Sequence, residues 1–159
     1  MAARRLAALE RALSGPGAHP SNAASRTAAA HAQPLTIAFI GFRHGHIGAV
    51  YQAAVKSPHL EIVGVCEEHA PTRESLAGTY KFTHTDYAKM LTERSPDIVA
   101  IGDYFAIRGA RAIAALEAGC HVISDKPLCT TLAELDRIEA LSAAGGLSVY
   151  CQLDMRDSG

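Results

Sequence analysis

Residues 36–48 of the chain read TIAFIGFRHGHIG, and the fold that we expect follows from this segment. Residues 36–40 are apolar or β-branched without alternation, which is typical of a strand buried on both faces. Gly41 ends that strand, and from Ile47 onward apolar residues recur with the helical period. A strand, a glycine-rich turn and a helix in this order predict the first unit of a parallel α/β sheet.

Strand-like and helix-like segments continue to alternate along the chain. Single helices between β-branched runs imply right-handed parallel crossovers, and strands this apolar are covered on both faces. We therefore predict one α/β domain, a doubly wound parallel sheet of the Rossmann type with the default strand order 3-2-1-4-5-6. The six predicted strands cover residues 36–40, 61–66, 80–83, 97–101, 121–124 and 147–151.

Apolar spacing and capping residues define the predicted helices. The helix after strand one should bury a face made of Ile47, Val50, Tyr51, Ala54 and Val55. The helix before strand five should bury Ile107, Ala110, Ile113 and Ala114. The predicted helix ends are Asp86 as an N-cap, Gly119 as a C-terminal stop, and a capping box formed by Thr131 and Glu134.

The chain divides near residue 34. Residues 1–34 are rich in Ala, Arg and Ser and lack the large apolar side chains that offset the entropy of ordering, so we expect a disordered extension. Their Arg-rich, acid-poor composition also fits an organellar transit peptide, which is the alternative. The domain is expected over residues 35–152, followed by a tail at 153–159.

Composition limits the classes of partner. The 159 residues include 15 Lys and Arg against 16 Asp and Glu, a formal charge of −1, without the electrostatic footprint of a nucleic-acid binder. No apolar run approaches the roughly 18 residues of a membrane span. We therefore expect no nucleic-acid or membrane partner. The chain has four cysteines, Cys66, Cys120, Cys129 and Cys151, and none of them has C-x-x-C spacing. This predicts reduced thiols and a reducing compartment, most simply the cytoplasm.

The glycine turn is the first candidate site. Glycines let a backbone reverse tightly and approach a pyrophosphate, whose charge is favoured by the amides at a helix N-terminus. The spacing is G-x-x-x-G-x-x-G, two residues longer between the first pair than the usual G-x-G-x-x-G, and a tight structural connection is the alternative. The predicted cofactor-binding residues of the turn are Gly41, Phe42, Arg43, His44, Gly45, His46, Ile47 and Gly48.

An acidic pair at the end of strand two is the second candidate. A carboxylate about 20 residues beyond the glycine turn can accept hydrogen bonds from ribose hydroxyls, and its charge repels a 2′-phosphate. Glu67 therefore favours NAD as the cofactor. Arg73 lies near enough in sequence to offset this repulsion, so NADP remains open. Glu68 fits an exposed loop position equally well.

The third candidate is Asp125-Lys126-Pro127, at the end of strand five. Ligands of open α/β sheets bind outside the carboxyl ends of the strands, so Lys126 should face the crevice. Its ammonium group could bind a substrate hydroxyl or carbonyl and take part in proton transfer. Pro127 permits a cis peptide bond. An exposed ion pair between Asp125 and Lys126 is the alternative.

His44 and His46 have the spacing of a metal-binding pair. The sequence offers no convergent third ligand, and the glycine turn already accounts for their position. We therefore expect no metal.

Residues 36–151 resemble the N-terminal nucleotide-binding domain of the Gfo/Idh/MocA oxidoreductases, the group of glucose-fructose oxidoreductase and inositol dehydrogenase. The residues that carry the resemblance are strand one with its glycine turn, 61–67, 85–87, Met90-Leu91, and most specifically 115–119 followed by 121–123 and Asp125-Lys126-Pro127. The resemblance implies an NAD(P)-dependent oxidoreductase that transfers a hydride between a nicotinamide and a sugar, polyol or related alcohol. It also implies that Lys126 lies near the nicotinamide and that Asp125 orients the site.

Three departures from that family stand out. The glycine turn is longer, and the loop after strand four reads Asp103-Tyr104-Phe105, with Arg108 where the family commonly has a His. The family's substrate domain is also missing from these 159 residues. We therefore expect a fragment or truncated product of an oxidoreductase, or a non-catalytic nucleotide-binding module.

Overall fold

A computed structural model describes residues 33–152, which form a five-stranded, all-parallel sheet flanked by helices. The predictions for residues 1–32 of the extension and for the tail at 153–159 lie outside the described residues. The strands are β1 (Leu35–Ile40), β2 (Leu60–Cys66), β3 (Ile98–Ile101), β4 (His121–Ser124) and β5 (Val149–Cys151). The helices are α1 (Ile47–Lys56), α2 (Ala70–Leu76), α3 (Tyr87–Arg94), α4 (Phe105–Glu117) and α5 (Leu132–Gly145).

The strand order is β2-β1-β3-β4-β5, which confirms the predicted doubly wound fold with one correction. The strand predicted at 80–83 does not form, and only an isolated parallel bridge from His84 to Cys66 marks its place. Thr83 pairs with the end of β2 instead, because its backbone N–H donates to Val65 O at 2.8 Å and its hydroxyl oxygen accepts from Val65 N at 2.9 Å. When the missing third strand is removed from the predicted order 3-2-1-4-5-6, the order of the remaining five strands is the one that the structure shows.

The core has two layers, one on each face of the sheet. Along β1, Ile37 and Phe39 face one layer, whereas Ala38 and Ile40 face the other, and all four are at most 1% exposed. This alternation is the period-two geometry of a strand. The first layer packs on α1, and the second packs on α3, α4 and α5. The sheet is therefore covered on both faces, as its apolar strands predict.

The predicted helix faces are only partly right. Val55 in α1 is 57% exposed, and Ala110 in α4 is exposed, although both were predicted to be buried. The reason in α4 is a close approach to α5: a Cβ on Gly109 would lie 2.4 Å from the carboxyl carbon of Glu134. Small residues therefore face inward, and the helix is rotated relative to the face that its larger apolar residues suggest. The residues of α4 that are buried are Arg108, Gly109, Ala112, Ala115 and Leu116.

The predicted helix ends are confirmed. The Asp86 carboxylate accepts a hydrogen bond from Lys89 N at 2.9 Å and caps α3. Thr131 and Glu134 form the capping box of α5. Gly119, after α4, has a φ of 81°, the left-handed conformation that favours glycine. These local signals fix where the helices begin and end.

All four cysteines are free thiols, as predicted. Burial raises the pKa of Cys66 to about 12 and that of Cys120 to about 11, so both thiols stay protonated at neutral pH. Among residues 33–152, no helix has the length and apolar character needed to cross a membrane.

Candidate functional site

The glycine turn begins where β1 passes close to the residue that follows β3. Gly41 has a φ of 75°, and a Cβ at this position would lie 2.4 Å from Cβ of Asp103. No other residue fits here without moving the backbone. The Gly41 amide donates to Cys66 O at 2.9 Å, which ties the turn to β2. The turn is therefore held on both sides by the ends of neighbouring strands.

Glu67 anchors the next residue of the turn. Its carboxylate accepts from Phe42 N at 2.6 Å and from His69 N at 2.8 Å, and the side chain is 1% exposed. The Phe42 ring packs against Tyr80, with centroids 4.4 Å apart. Glu67 thus has a structural role that the sequence did not reveal. Its contact with a ribose stays a prediction.

Two charged residues, Arg73 and Glu68, lie at the end of β2. The Arg73 guanidinium donates to the carbonyl of Glu67 at 2.8 Å and to that of Glu68 at 3.4 Å. The Glu68 carboxylate contacts the Arg111 guanidinium, which also lies 3.9 Å above the Tyr87 ring. Arg73 therefore binds backbone carbonyls here, and its charge remains beside Glu67.

The two extra residues of the turn reach across the sheet edge. Arg43 Nε donates to Asp103 Oδ1 at 2.8 Å, and its guanidinium lies 5.5 Å from the Tyr104 ring centroid. The His44 backbone N–H donates to Gly102 O at 3.1 Å, and His44 Nδ1 contacts Asp125 Oδ2. The longer glycine spacing therefore bends the turn towards the ends of β3 and β4.

The second half of the turn leads into α1. Ile47 is 1% exposed and packs so tightly on Gly102 that a Cβ there would lie 2.3 Å from Cβ of Ile47. A Cβ on Gly48 would lie 2.9 Å from the Tyr80 hydroxyl oxygen. A Cβ on Gly45, in contrast, would meet no atom of the described residues within 4 Å. Gly45 thus faces open space.

Asp125 and Lys126 follow β4 at the same edge of the sheet. Asp125 is fully buried, and its Oδ1 accepts from Lys126 N at 2.7 Å and lies 3.3 Å from His46 Nδ1. The Lys126 side chain is exposed, and the Lys126–Pro127 peptide bond is cis. A cavity of about 250 Å³ joins Lys126 to the glycine turn, and its lining comprises Arg43, His44, Asp103, Tyr104, Phe105, Arg108, Lys126 and Pro127.

Arg108 is a residue of this site whose importance is not evident from the sequence. It is 1% exposed, and its Nε donates to Asp103 O at 2.7 Å. Its Nη1 contacts the carbonyl of Lys126, and its Nη2 lies 3.6 Å from Asp125 Oδ2. Burial lowers the pKa of the guanidinium, and the carboxylates of Asp125 and Asp103 oppose that shift. Arg108 therefore fixes the loop that carries Lys126.

A signal for Arg108 was present in the sequence. It stands four residues before Ala112 and seven before Ala115, which places it on the buried face of α4. Because alanines are weak markers of a buried helix face, that face was assigned to the larger Ile107 and Ile113 instead.

The fold also supplies the third group that the histidine pair lacked in sequence. Nitrogen atoms of His44 and His46 and a carboxylate oxygen of Asp125 all lie within 4.8 Å of one another. The reason for expecting no metal, the absence of a convergent third ligand, therefore does not hold in the folded chain.

The structure combines a parallel sheet in this order with a glycine turn leading into α1, an acid after β2 and a lysine after β4. This combination defines a dinucleotide-binding Rossmann domain. Residues 35–152 match the profile of the Gfo/Idh/MocA family, described as an oxidoreductase family with an NAD-binding Rossmann fold, and the chain belongs to this family. Because the family is described as NAD-binding, this match confirms NAD as the predicted cofactor.

Known proteins of similar sequence and structure agree with this assignment. The chain is 31% identical to the D-glucoside 3-dehydrogenase of Escherichia coli K12 over 102 residues, 62% of this chain and 28% of the enzyme. An oxidoreductase domain protein from Kribbella flavida superposes with a TM-score of 0.62 at 30% identity, over 76% of this chain and 34% of its own.

A more distant structure shares the fold. The WlbA dehydrogenase of Bordetella pertussis, solved with NADH and UDP-GlcNAcA, superposes with a TM-score of 0.65 at 19% identity, over 79% of this chain and 39% of its own. The chain therefore spans between about a quarter and two fifths of the length of these relatives.

Replacing Arg108 tests its role in holding the site. Arg108→Met keeps the bulk of the side chain but leaves the Asp103 and Lys126 carbonyls and the Asp125 carboxylate without their cation. We expect the free energy of unfolding in urea to fall by about 3–5 kcal/mol. The control is Arg137→Met, which removes an exposed ion pair with Glu117 and should change stability by less than about 1 kcal/mol. Equal effects of the two variants would contradict this role.

Proposed function

We propose that residues 35–152 bind NAD(H) at the carboxyl ends of β1, β3 and β4 and form the cofactor-binding half of an oxidoreductase that acts on a sugar, polyol or related alcohol. The observation that carries the proposal is that Lys126 and the glycine turn line one cavity. A cofactor held by the turn and an alcohol held by Lys126 would therefore lie side by side. This placement is what a hydride transfer needs.

The turn supplies the phosphate-binding part of the proposed site. Backbone N–H groups at the start of α1 carry the partial positive charge of a helix N-terminus, which favours an anionic diphosphate. Gly45 leaves open space at this point, so a ligand can approach the backbone closely. Glu67, whose carboxylate accepts from the Phe42 and His69 amides, would accept a hydrogen bond from a ribose hydroxyl through a remaining lone pair.

Lys126 and Asp125 supply the proposed catalytic part. Bound NAD⁺ would supply the hydride acceptor for the carbon of an alcohol, so the hydroxyl proton would be left for residues of this chain to remove. The exposed Lys126 side chain would hydrogen-bond the reacting oxygen, and its neutral amine form would take the hydroxyl proton and become an ammonium. Asp125 acts on Lys126 through the backbone, since Asp125 Oδ1 accepts from the Lys126 amide. Arg108 holds the carbonyl of the same residue.

The substrate class rests on the relatives. The E. coli relative is named for oxidation of a D-glucoside, and the WlbA structure contains a sugar nucleotide. Both names describe longer proteins, and the proposal for this chain concerns the nucleotide-binding part that it shares with them. The four free thiols fit a reducing compartment, which we propose to be the cytoplasm.

A non-catalytic nucleotide-binding module is the second candidate. The observation that favours it is the longer turn: Arg43 and His44 occupy the edge of the cavity beside Lys126 and bind Asp103 and Asp125. These side chains narrow the space available for a substrate next to the lysine. A module would bind the dinucleotide without turning over an alcohol.

Binding of NADH tests the phosphate-binding turn. Gly45→Ala adds a methyl group that meets no described atom of the chain, but it would stand between the backbone and a diphosphate. We expect the Kd for NADH, measured by calorimetry, to rise at least about tenfold, or about 1.4 kcal/mol. Gly78→Ala is the matched control, since its Cβ also meets nothing within 4 Å and it lies outside the turn. Binding by Gly45→Ala within twofold of the wild type would refute the role of the turn.

Comparison of the two dinucleotides tests the role of Glu67. Its buried carboxylate should repel the 2′-phosphate of NADPH, whereas the Arg73 charge beside it weakens this repulsion. We expect NADH to bind more tightly than NADPH, by about tenfold, in parallel titrations of the wild type. Equal affinity, or tighter binding of NADPH, would contradict the assignment of Glu67 to the ribose.

Turnover separates the enzyme from the binding module. If the chain reduces NAD⁺ with any alcohol in a panel of glucosides and polyols, the rate followed by absorbance should fall at least about 100-fold for Lys126→Met. The Kd of Lys126→Met for NADH should stay within about threefold of the wild type. Lys56→Met, at the exposed end of α1, is the control and should keep full activity. NADH binding without turnover of any alcohol in the panel would support the module.

A further inference from the structure

Three potential metal ligands converge at the edge of the sheet. His44 and His46 lie in the glycine turn, and Asp125 follows β4, 79 residues beyond His46 in sequence. His46 Nδ1 lies 3.3 Å from Asp125 Oδ1, and His44 Nδ1 contacts Asp125 Oδ2. The two imidazole rings are nearly perpendicular, at 87°, with centroids 4.8 Å apart. Both rings therefore present the same nitrogen to one carboxylate from different directions.

We propose that His44, His46 and Asp125 bind a divalent transition-metal ion of the Zn²⁺ class. Neutral imidazole nitrogen and carboxylate oxygen are the ligands that such ions prefer. Two histidines and one carboxylate form a set that leaves at least one coordination position open, as in catalytic rather than structural zinc sites.

The buried carboxylate of this cluster faces both imidazole rings. Asp125 is fully buried, its Oδ2 contacts His44 Nδ1, and its Oδ1 lies 3.3 Å from His46 Nδ1. A buried carboxylate needs cations or hydrogen bonds to replace its lost hydration. Arg108 Nη2 contributes from 3.6 Å, while its Nε and Nη1 are directed to backbone carbonyls. A metal ion bound by the two imidazoles would add a second cation beside the same carboxylate.

The surroundings fit a site open on one side. The Lys126 amide orients Asp125 through Oδ1, which is the kind of outer contact that holds a metal ligand in place. The His44 and His46 side chains are 39% and 37% exposed, so solvent and small molecules reach the cluster. His44 also lines the cavity beside Lys126 and Tyr104. The open position would therefore bind an oxygen of a small molecule in that cavity, such as a hydroxyl or carboxylate group.

Metal binding is tested with the whole chain after treatment with a chelator. Co²⁺ serves as the spectroscopic probe and is followed by its visible absorption, and Zn²⁺ is titrated by calorimetry. We expect one equivalent of each ion to bind. Changes to outer contacts of metal sites already weaken binding by about 10–100-fold, so His44→Gln and His46→Gln should each weaken it by at least about 100-fold.

The control is His59→Gln, an exposed histidine just before β2, at the opposite edge of the sheet. It should bind Co²⁺ as the wild type does, and circular dichroism should show that all variants are folded. Asp125→Asn should lose the Co²⁺ spectrum as well. Absence of Co²⁺ binding by the wild type, or equal binding by His44→Gln, His46→Gln and the control, would overturn the site.

Failure of the metal site and failure of the proposed function are distinguishable. A wild type that binds Co²⁺ but not NADH would overturn the dinucleotide proposal and support the metal site. A wild type that binds NADH but not Co²⁺ would overturn the metal site and support the dinucleotide proposal. The metal proposal rests on the positions of His44, His46 and Asp125 alone.

Discussion

Three carboxylates buried where the strands end impose the main constraint on this edge of the molecule. Glu67 follows β2, Asp103 follows β3 and Asp125 follows β4, and each is at most 3% exposed. A buried carboxylate is tolerated only where hydrogen bonds or cations compensate for lost hydration. Glu67 is compensated by two backbone amides of the turn and of the segment before α2. The other two depend on arginines and histidines from the glycine turn and from α4, so these two elements are held together by charge.

Arg108 links the backbone of Asp103 and the carboxylate of Asp125 to the loop that carries Lys126. It reaches the carbonyl of Asp103, the carbonyl of Lys126 and the vicinity of the Asp125 carboxylate from one position on α4. Its planar guanidinium has five donors in a fixed geometry, which one ammonium group cannot reproduce. Helix α4 can pack closely on its neighbours because Gly109, Ala112 and Ala115 on its buried face are small. The packing of α4 and the position of Lys126 are therefore parts of one arrangement.

The longer glycine turn connects this edge of the sheet to the histidines. Its two extra residues are Arg43, which contacts Asp103, and His44, which contacts Asp125. Gly45, just beyond them, leaves the space in which a diphosphate would lie. One loop thus carries the proposed phosphate contacts and two of the proposed metal ligands. Both proposals therefore concern neighbouring residues of one turn, which lies within contact distance of the end of β4.

Hydrophobic period, apolar runs and local hydrogen bonds are properties of the amino-acid sequence, and they were enough to predict the α/β class, five of the six strands, and the helix caps at Asp86 and Thr131. They also placed Gly41 and Lys126 at strand ends. The remaining features appear only when the chain is packed in three dimensions. Residues 80–83 form no strand since their contacts go to the end of β2 and to an aromatic cluster. The contact of Arg108 with the Lys126 carbonyl, the burial of Glu67 and the meeting of His44 and His46 with Asp125 depend on groups distant in sequence. Spacing along the chain carries no information about such distances.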